Sequence, residues 1–390
     1  MRIFQYAILI VLLALAAGIS CGQAGDMFGS REGIPYTGVG TWQKLDLDPV
    51  TELVQPYIID GDAYHHLTEP CYLVLDGVHH LFYEVIIYEP AIGEDEIVAS
   101  EIHLATSLNG IDWEIANGGE PVLEAGANWE GNHAGAPTIL LRNDELWMYY
   151  AGGNGAGIGL AISQDGVCWQ KYAGNPLLKP DQQWEGGPTG IVGAPSVVRD
   201  HDRLLMYYSG GVLSGPPEAQ RGGYAIGMAQ SEDGLTWHKR DTNGRTDEED
   251  TPRVEPILTA EQTWEGLGSE IWSLGVVASP HVIIDHPVDR DIYRMYYSGN
   301  LVGDPLNTDV SVGYAGSFDG VHWETLNAEY NPVLQELFAL AIPGITEYTL
   351  YGEFAPSVIH YKDGYRMIYG QTEPLDVRHG LGIAVSPPPD

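Results

Sequence analysis

The sequence predicts an all-β protein, a five-bladed β-propeller whose blades are four-stranded antiparallel sheets. Three observations predict it: a seven-residue phrase recurs, each copy follows an aromatic strand, and the two ends of the chain each hold part of one unit. The phrase has the form Ser-x-Asp-Gly-x-x-Trp, with Asn for Asp in its first copy. The copies are Ser107–Trp113, Ser163–Trp169, Ser231–Trp237 and Ser317–Trp323. A unit that recurs in this way is typical of a module copied around a ring.

Each unit begins with a short strand after a proline and continues with a strand rich in tyrosine and methionine, residues that suit a packed sheet. A third strand follows, with the pattern apolar-Gly-apolar-Ala. The Asp-Gly turn then leads into the fourth strand, because Asp tolerates turn geometry and Gly accepts positive φ. The third strands lie at 158–161, 226–229, 312–315 and 381–384.

The ends of the chain predict how the ring closes. The last unit stops at Ser386 without its tryptophan strand, and the segment around Trp42 has the pattern of that missing strand. We therefore predict that the N-terminal strand completes the last blade, which leaves no open sheet edge. Residues 37–390 then form one domain, since a ring of blades enlarges by adding local cores.

Residues 1–21 have the pattern of an export signal. Arg2 precedes an apolar run at 7–17, which is shorter than the roughly 20 residues of a membrane span. Residues 17–21 resemble the cleavage box of bacterial lipoproteins, although Gly18 replaces the usual leucine, so lipidation of Cys21 stays open. We expect an exported protein that is secreted, periplasmic or a cell-surface lipoprotein. Residues 22–36 would be a linker, and Cys21 the route to a membrane.

The formal charge of −36, from 18 basic and 54 acidic residues, excludes a nucleic-acid surface, which needs basic clusters. The acid excess fits a protein that works in salt, where screening weakens self-repulsion, or an acidic exported protein kept soluble by its charge. Cys71 and Cys168 lie in different units, which predicts two separate buried thiols and no disulfide. We expect a monomer.

The whole unit, with Pro-Ser-Val-Ile, Met-Tyr-Tyr-Ser-Gly, Ile-Gly-x-Ala and Asn-Pro-Val-Leu around the Asp-Gly turn, resembles the blade repeat of the five-bladed propeller glycosidases. That superfamily includes arabinanases, β-xylosidases, invertases, levanases and mannoside phosphorylases. The resemblance covers nearly all of the chain beyond the signal. It implies a carbohydrate substrate and an active site in a funnel on the ring axis, where carboxylates act as acid and as base or nucleophile. It implies no organic cofactor, and a cation on the axis, such as calcium, stays open.

Within this resemblance, the residues just before the strand-opening prolines are expected to point into the funnel. Only the first of them, Glu69, is acidic, and it takes the position at which arabinanase-like enzymes have an aspartate that acts as the base. Ala136 and Gly193 stand where those enzymes have their other acids, so that catalytic triad does not transfer. The five residues are Glu69, Ala136, Ala194, Ser279 and Ala355.

Residues that break the repeat near the funnel are therefore the candidates, because a residue repeated in several blades is more often structural. Glu69 is the first candidate carboxylate, with Glu353 or Glu270 as its catalytic partner. Trp272 could be a stacking platform for a sugar ring. The candidate substrate-binding residues are His66, His133, Trp272 and Tyr351. The glutamates of the repeated Trp-Glu-Gly phrase, Glu130, Glu185 and Glu265, are predicted to satisfy backbone donors between blades.

Two functions follow from these candidates. The first is a carbohydrate-active protein that hydrolyses glycosidic bonds of a poly- or oligosaccharide. The second is a non-catalytic glycan-binding or scaffold propeller that has lost its central acids, as Ala136 and Gly193 suggest. Both stay open at the level of sequence.

Overall fold

The computed structural model describes residues 42–45, 64–90, 95–211, 223–247, 253–265, 275–304, 307–327, 330–334, 351–362, 364–373 and 376–386. The predicted export signal and linker, together with Cys21, Glu270 and Trp272, lie outside these residues. The described elements are strands and three short 3-10 turns, Asn117–Gly119, Gly187–Thr189 and Thr263–Glu265. No helix in this part of the chain is long and apolar enough to cross a membrane.

The strands fall into five groups of four, in chain order except for the first. Strand β1 (Gln43–Lys44) belongs to the last group. Blade 1 contains β2 (Tyr64–Leu75), β3 (Val78–Pro90), β4 (Asp95–Ser107) and β5 (Glu114–Ile115). Blade 2 contains β6 (Ala134–Arg142), β7 (Glu145–Gly152), β8 (Gly157–Ser163) and β9 (Gln170–Lys171). Blade 3 contains β10 (Ile191–Asp200), β11 (Arg203–Gly211), β12 (Tyr224–Ser231) and β13 (His238–Arg240).

Blade 4 contains β14 (Val277–Asp285), β15 (Ile292–Asp304), β16 (Asn307–Ser317) and β17 (Glu324–Thr325). Blade 5 contains β18 (Tyr351–Tyr361), β19 (Gly364–Glu373) and β20 (Asp376–Ser386), and β1 is its fourth strand. Strands within a blade pair antiparallel with their neighbours. A short parallel pairing of β16 with β18 links blades 4 and 5.

The five first strands form a closed cycle of contacts. Strand β2 contacts β6, β6 contacts β10, β10 contacts β14, β14 contacts β18, and β18 returns to β2. Side-chain packing and single bridges, such as Ser100 with His133, join blades that are otherwise separate sheets. The predicted five-bladed propeller is thereby confirmed.

Strand β1 closes the ring as predicted. Gln43 and Lys44 pair with Val385 and Ala384 of β20, and the Leu45 N–H donates to the Ile383 carbonyl at 2.9 Å. Trp42 is buried and meets Tyr296 of blade 4 edge-on, with ring centroids 5.6 Å apart. The N-terminal segment therefore supplies both the outer strand and the tryptophan of blade 5.

The Asp-Gly turns hold the outer strands and join neighbouring blades. In blade 2, Asp165 Oδ1 accepts the N–H groups of Val167 and Cys168 at 2.9 and 2.8 Å, and Gly166 has φ +77°. The following tryptophan packs edge-on against an aromatic ring of the preceding blade. These pairs are Trp169 with Phe82, Trp237 with Tyr149, Trp323 with Tyr207 and Trp42 with Tyr296.

The two described cysteines are free thiols. Cys71 is buried, as predicted, but Cys168 is exposed, so the prediction that both are buried is wrong. The reason is the position of Cys168 on the outer Asp-Gly turn, where its N–H is bonded to Asp165 and its side chain faces solvent.

Candidate active site

A β-bulge interrupts the first strand of every blade at the residue before proline. The register shifts between Thr68 and Cys71 in blade 1, and at the matching place in the other four blades. The bulged residue has a φ between 44° and 48° each time, the left-handed region that non-glycine residues rarely adopt. These five residues are Glu69, Ala136, Ala194, Ser279 and Ala355. The same five, with their prolines, line a cavity on the ring axis, where the sequence placed them.

The cavity is small. Its volume is about 20 Å³, room for a single water-sized group. Cys71, Thr138 and His281, each of which follows one of these prolines, complete its lining. A sugar ring therefore does not fit among these side chains, and only one functional group of a ligand could enter. The prediction that each first strand begins after its proline is wrong, because the strand starts several residues earlier and continues through the bulge, as β2 (Tyr64–Leu75) does through Pro70.

The residues that follow the prolines tie neighbouring blades together. Ser196 Oγ accepts the Val282 N–H at 2.9 Å, and Ser357 Oγ accepts the Tyr72 N–H at 2.9 Å. In blade 4 this place is taken by His281, whose Nε2 lies 2.9 Å from the Val358 carbonyl oxygen. Burial lowers the pKa of His281 to about 4. The ring is therefore neutral at neutral pH, and its Nε2–H donates to that carbonyl.

Glu69 is the acidic member of the axial ring. Ser279 Oγ, from the opposite side of the propeller, donates a hydrogen bond of 2.8 Å to Glu69 Oε1. Desolvation, and then the charge of Glu84, raise the pKa of Glu69 to about 7, while the Ser279 hydrogen bond acts in the other direction. The side chain keeps partial access to solvent. Near neutral pH it is present in both protonated and ionised forms, as a group that transfers protons must be.

Glu84 is a second buried carboxyl group beside Glu69. It lies on β3 with 3% exposure. Its Oε1 accepts the Ser100 hydroxyl at 2.6 Å and its Oε2 accepts the Ala136 N–H at 2.9 Å. His133 Nδ1 is 3.7 Å from Oε1. A β carbon on Gly135 would come within 2.2 Å of the Glu84 carboxyl carbon, so glycine is needed there.

Glu84 was not among the site residues predicted from the sequence. The sequence feature that identifies it lies in the second strands. Glu84 pairs with Thr68, the residue that precedes the bulge of blade 1, and the other blades have a residue at the matching position. The matching residues are Ala151, Ser209, Ser298 and Gly370. A glutamate among small residues breaks the repeat just as Glu69 does.

The Trp-Glu-Gly glutamates satisfy backbone donors in the segments that connect blades, as predicted. Glu130 Oε2 accepts the N–H groups of Gly126 and Ala127 at 2.6 and 2.7 Å, and the Lys171 ammonium at 2.7 Å. Glu185 and Glu265 repeat the backbone bonds in blades 3 and 4. A hydroxyl of the second strand, from Tyr150, Tyr208 or Tyr297, donates to the other oxygen.

Glu353 shares one contact with this structural set. It is 1% exposed and forms an ion pair with Lys44 of β1, as Glu130 does with Lys171. The neighbouring Phe354 packs against Gly370, its partner on β19. Glu353 is not among the residues that line the axial cavity. Its surroundings therefore favour a structural role over a catalytic one.

The remaining candidates are dispersed. His66 lies on β2 and packs on Tyr88, with ring centroids 4.5 Å apart. His133 borders Glu84, as described above. Tyr351 begins β18, where its backbone pairs with Asp309, and its side chain is outside the described atoms. The structure thus brings Glu69, Glu84 and His133 into one sector, between blades 1 and 2.

The side-chain oxygen donors on the axial cavity are the Glu69 carboxylate and the hydroxyls of Thr138 and Ser279; calcium takes six to eight oxygens, which can include backbone carbonyls and waters. A separate histidine and carboxylate cluster, Asp200, His201 and Asp291, lies at hairpins of blades 3 and 4. There, Arg203 and Tyr293 bind Asp200. Ion pairing explains this cluster without a metal.

No family model matches the sequence, and no curated protein matches it. Solved structures do match. A glycoside hydrolase is 20% identical, with 92% of this chain and 93% of that chain covered and a TM-score of 0.57. A thermostable family-43 glycoside hydrolase is 18% identical, with coverages of 84% and 90% and a TM-score of 0.54. The β-1,2-mannobiose phosphorylase from Listeria innocua is 11% identical, with coverages of 89% and 96% and a TM-score of 0.61. The chain therefore has the five-bladed propeller fold that these glycoside hydrolases and phosphorylases share.

Proposed function

We propose that the protein is an exported carbohydrate-active enzyme that hydrolyses glycosidic bonds of a poly- or oligosaccharide, with Glu69 as the proton donor. One observation carries the proposal: in a ring of five equivalent bulged residues, Glu69 alone carries a carboxyl group, and its pKa is raised to about 7. A carboxyl group that stays protonated near neutral pH can protonate the leaving oxygen of an acetal.

The size of the cavity defines how a substrate would approach. Because the space beside Glu69 admits one water-sized group, the sugar ring would lie at the mouth and present its glycosidic oxygen to Glu69. His66, His133, Trp272 and Tyr351 stay the proposed sugar-binding residues. Neighbours with this fold include a family-43 glycoside hydrolase and a mannobiose phosphorylase, which supports a carbohydrate as the ligand.

Hydrolysis of an acetal also needs a second carboxylate, as base or nucleophile. Glu84 does not suit that role, since both of its oxygens accept hydrogen bonds and Gly135 and Ala136 cover it. Glu270 stays the proposed partner of Glu69. Export through residues 1–21, with or without a lipid on Cys21, is part of the proposal because it would place the enzyme among extracellular glycans.

A second function, a glycan-binding propeller without catalysis, is favoured by the axial ring itself. Four of its five positions carry Ala or Ser, and the space between them is about 20 Å³. Such a protein would bind a sugar at the mouth of the funnel and leave its bonds intact.

The test compares the wild type, Glu69→Gln and the exposed control Glu114→Gln on aryl glycosides and on plant and algal polysaccharides. We expect turnover by the wild type and the control, and a loss of about 100-fold or more in kcat for Glu69→Gln. Turnover that survives in Glu69→Gln removes Glu69 from the mechanism. Glycan binding by calorimetry without turnover of any substrate favours the second function.

A further inference from the structure

We propose that Glu84 is a positioning residue of the axial site, a fixed negative charge that keeps the proton on Glu69; the inference rests on the function proposed above. Glu84 would not touch the substrate. It would act through Glu69, which alone of the two lines the cavity.

The backbone does not need a glutamate at this position. In blade 3 the equivalent Ser209 accepts the N–H of Ser279 through its hydroxyl at 2.8 Å. In blade 4 Ser298 accepts the N–H of Ala355 in the same way, also at 2.8 Å. The bond from the Ala136 N–H to Glu84 is the blade 1 version of this contact. A serine makes this backbone contact in blades 3 and 4, so the contact alone does not explain a carboxyl group in blade 1.

The site is built to hold that charge. Burying a carboxylate is costly unless donors surround it, and here the Ser100 hydroxyl and the Ala136 N–H supply one donor to each oxygen. Gly135 leaves the space in which the carboxyl group lies. These contacts fix Glu84 in one orientation beside Glu69, with 3% exposure.

The other groups around Glu69 do not cancel this charge. Cys71 on β2 is a thiol whose pKa burial raises to about 12, and His281 on β14 is neutral. His133 Nδ1 lies 3.7 Å from Glu84 Oε1 and is not among the residues that line the cavity. No lysine or arginine is among the described residues that line the cavity. Two opposing effects remain: the charge of Glu84 favours protonated Glu69, and the hydrogen bond from Ser279 favours ionised Glu69.

Because the two effects oppose each other, removing each of them should change the pKa of Glu69 in the opposite direction. In the full chain labelled with ¹³C at glutamate carboxyl groups, NMR would follow the titration of Glu69, assigned with Glu69→Gln. We expect Glu84→Gln to lower the pKa of Glu69 and Ser279→Ala to raise it. Glu84→Ser, which copies the native serine of blades 3 and 4, should act like Glu84→Gln while keeping the backbone bond. It serves as the second variant if Glu84→Gln does not fold.

Enzyme assays supply an independent readout. The basic limb of the pH profile of kcat/KM should move to lower pH in Glu84→Gln and to higher pH in Ser279→Ala, because it reports the protonated donor. If Glu84 is purely structural, Glu84→Gln would lower the melting temperature and leave the titration of Glu69 unchanged. That result would overturn the inference. If the wild type hydrolyses no glycoside, the proposed function fails, but the NMR titration still decides the coupling.

Discussion

Lys44, on the N-terminal strand, forms an ion pair with the buried carboxyl group of Glu353, 309 residues later in the chain. Blades 2 and 3 contain the same arrangement, in which a lysine of the fourth strand binds a buried glutamate: Lys171 with Glu130 and Lys239 with Glu185. Strand β1 therefore supplies blade 5 with the cation that a blade's own fourth strand supplies elsewhere.

Replacing Lys44 by Met should destabilise the protein. Glu353 would be left buried without its cation, and because Lys44 itself is 36% exposed, we expect a loss of about 2 kcal/mol, between the values for surface and buried pairs. Urea denaturation measures the change in the free energy of unfolding. The control is Lys179→Met, an exposed lysine, for which we expect a change within about 0.5 kcal/mol. Equal effects of the two substitutions would show that the pair does not stabilise the ring.

Gly135→Ala should disturb the site, whereas the equivalent Gly193→Ala should not. The new β carbon at 135 would overlap the Glu84 carboxyl group at 2.2 Å, but at 193 its nearest neighbour is the Ala151 β carbon at 3.5 Å. We expect a loss of about 2 kcal/mol for the first and a near-neutral result for the second. Thermal unfolding of both variants checks this. If Gly135→Ala is as stable as the wild type, the Glu84 carboxyl group can adopt another position.

Glu69 should make the protein less stable as the pH rises. Its pKa is raised from 4.5 to about 7 in the folded state, so the folded chain holds this proton more tightly than the unfolded chain. The resulting stabilisation is present below about pH 4.5 and is lost as the pH rises through about 7, by roughly 3 kcal/mol. Urea denaturation between pH 4.5 and 7.5 should show a flatter loss for Glu69→Gln. Parallel profiles for the two proteins would contradict the raised pKa.

His281 should act with the opposite sign. Its pKa is lowered to about 4 by burial, so the unfolded chain binds this proton more readily. Stability therefore falls as the pH drops from about 6.5 to about 4. His281→Gln should remove that part of the acid sensitivity, while the exposed His322→Gln should not, because pairing with Asp319 raises the pKa of His322. Circular dichroism melts across this range compare the three proteins.

The fold was predictable because its information is local and repeated. The Asp-Gly turn, its tryptophan and the proline after the bulge each recur. A copy that departs from the pattern can therefore be recognised by comparison with the other copies. The closing strand could be found because Trp42 carries the same signature as the tryptophans it joins. Glu69 was found in the same way, as the one acidic residue at a repeated position.

Glu84 and Glu353 were harder for a physical reason. The first strand fixes which residue faces the axis, but Glu84 reaches the site from the second strand, through pairing across the bulge. Glu353 lacks the Trp-Glu-Gly phrase, and its ion-pair partner is Lys44, 309 residues away in the chain. A contact between the two ends of a chain leaves no local pattern.

The position of β1 determines the order in which the blades can form. Blades 1 to 4 each pair strands that are consecutive in the chain, so each can form soon after it leaves the ribosome or crosses a membrane. Blade 5 cannot, because β1 finds its partner only in β20, which follows the other four blades in the chain. Until β20 has been synthesised, Trp42 and Lys44 have no blade to join, so this strand decides whether the circle shuts.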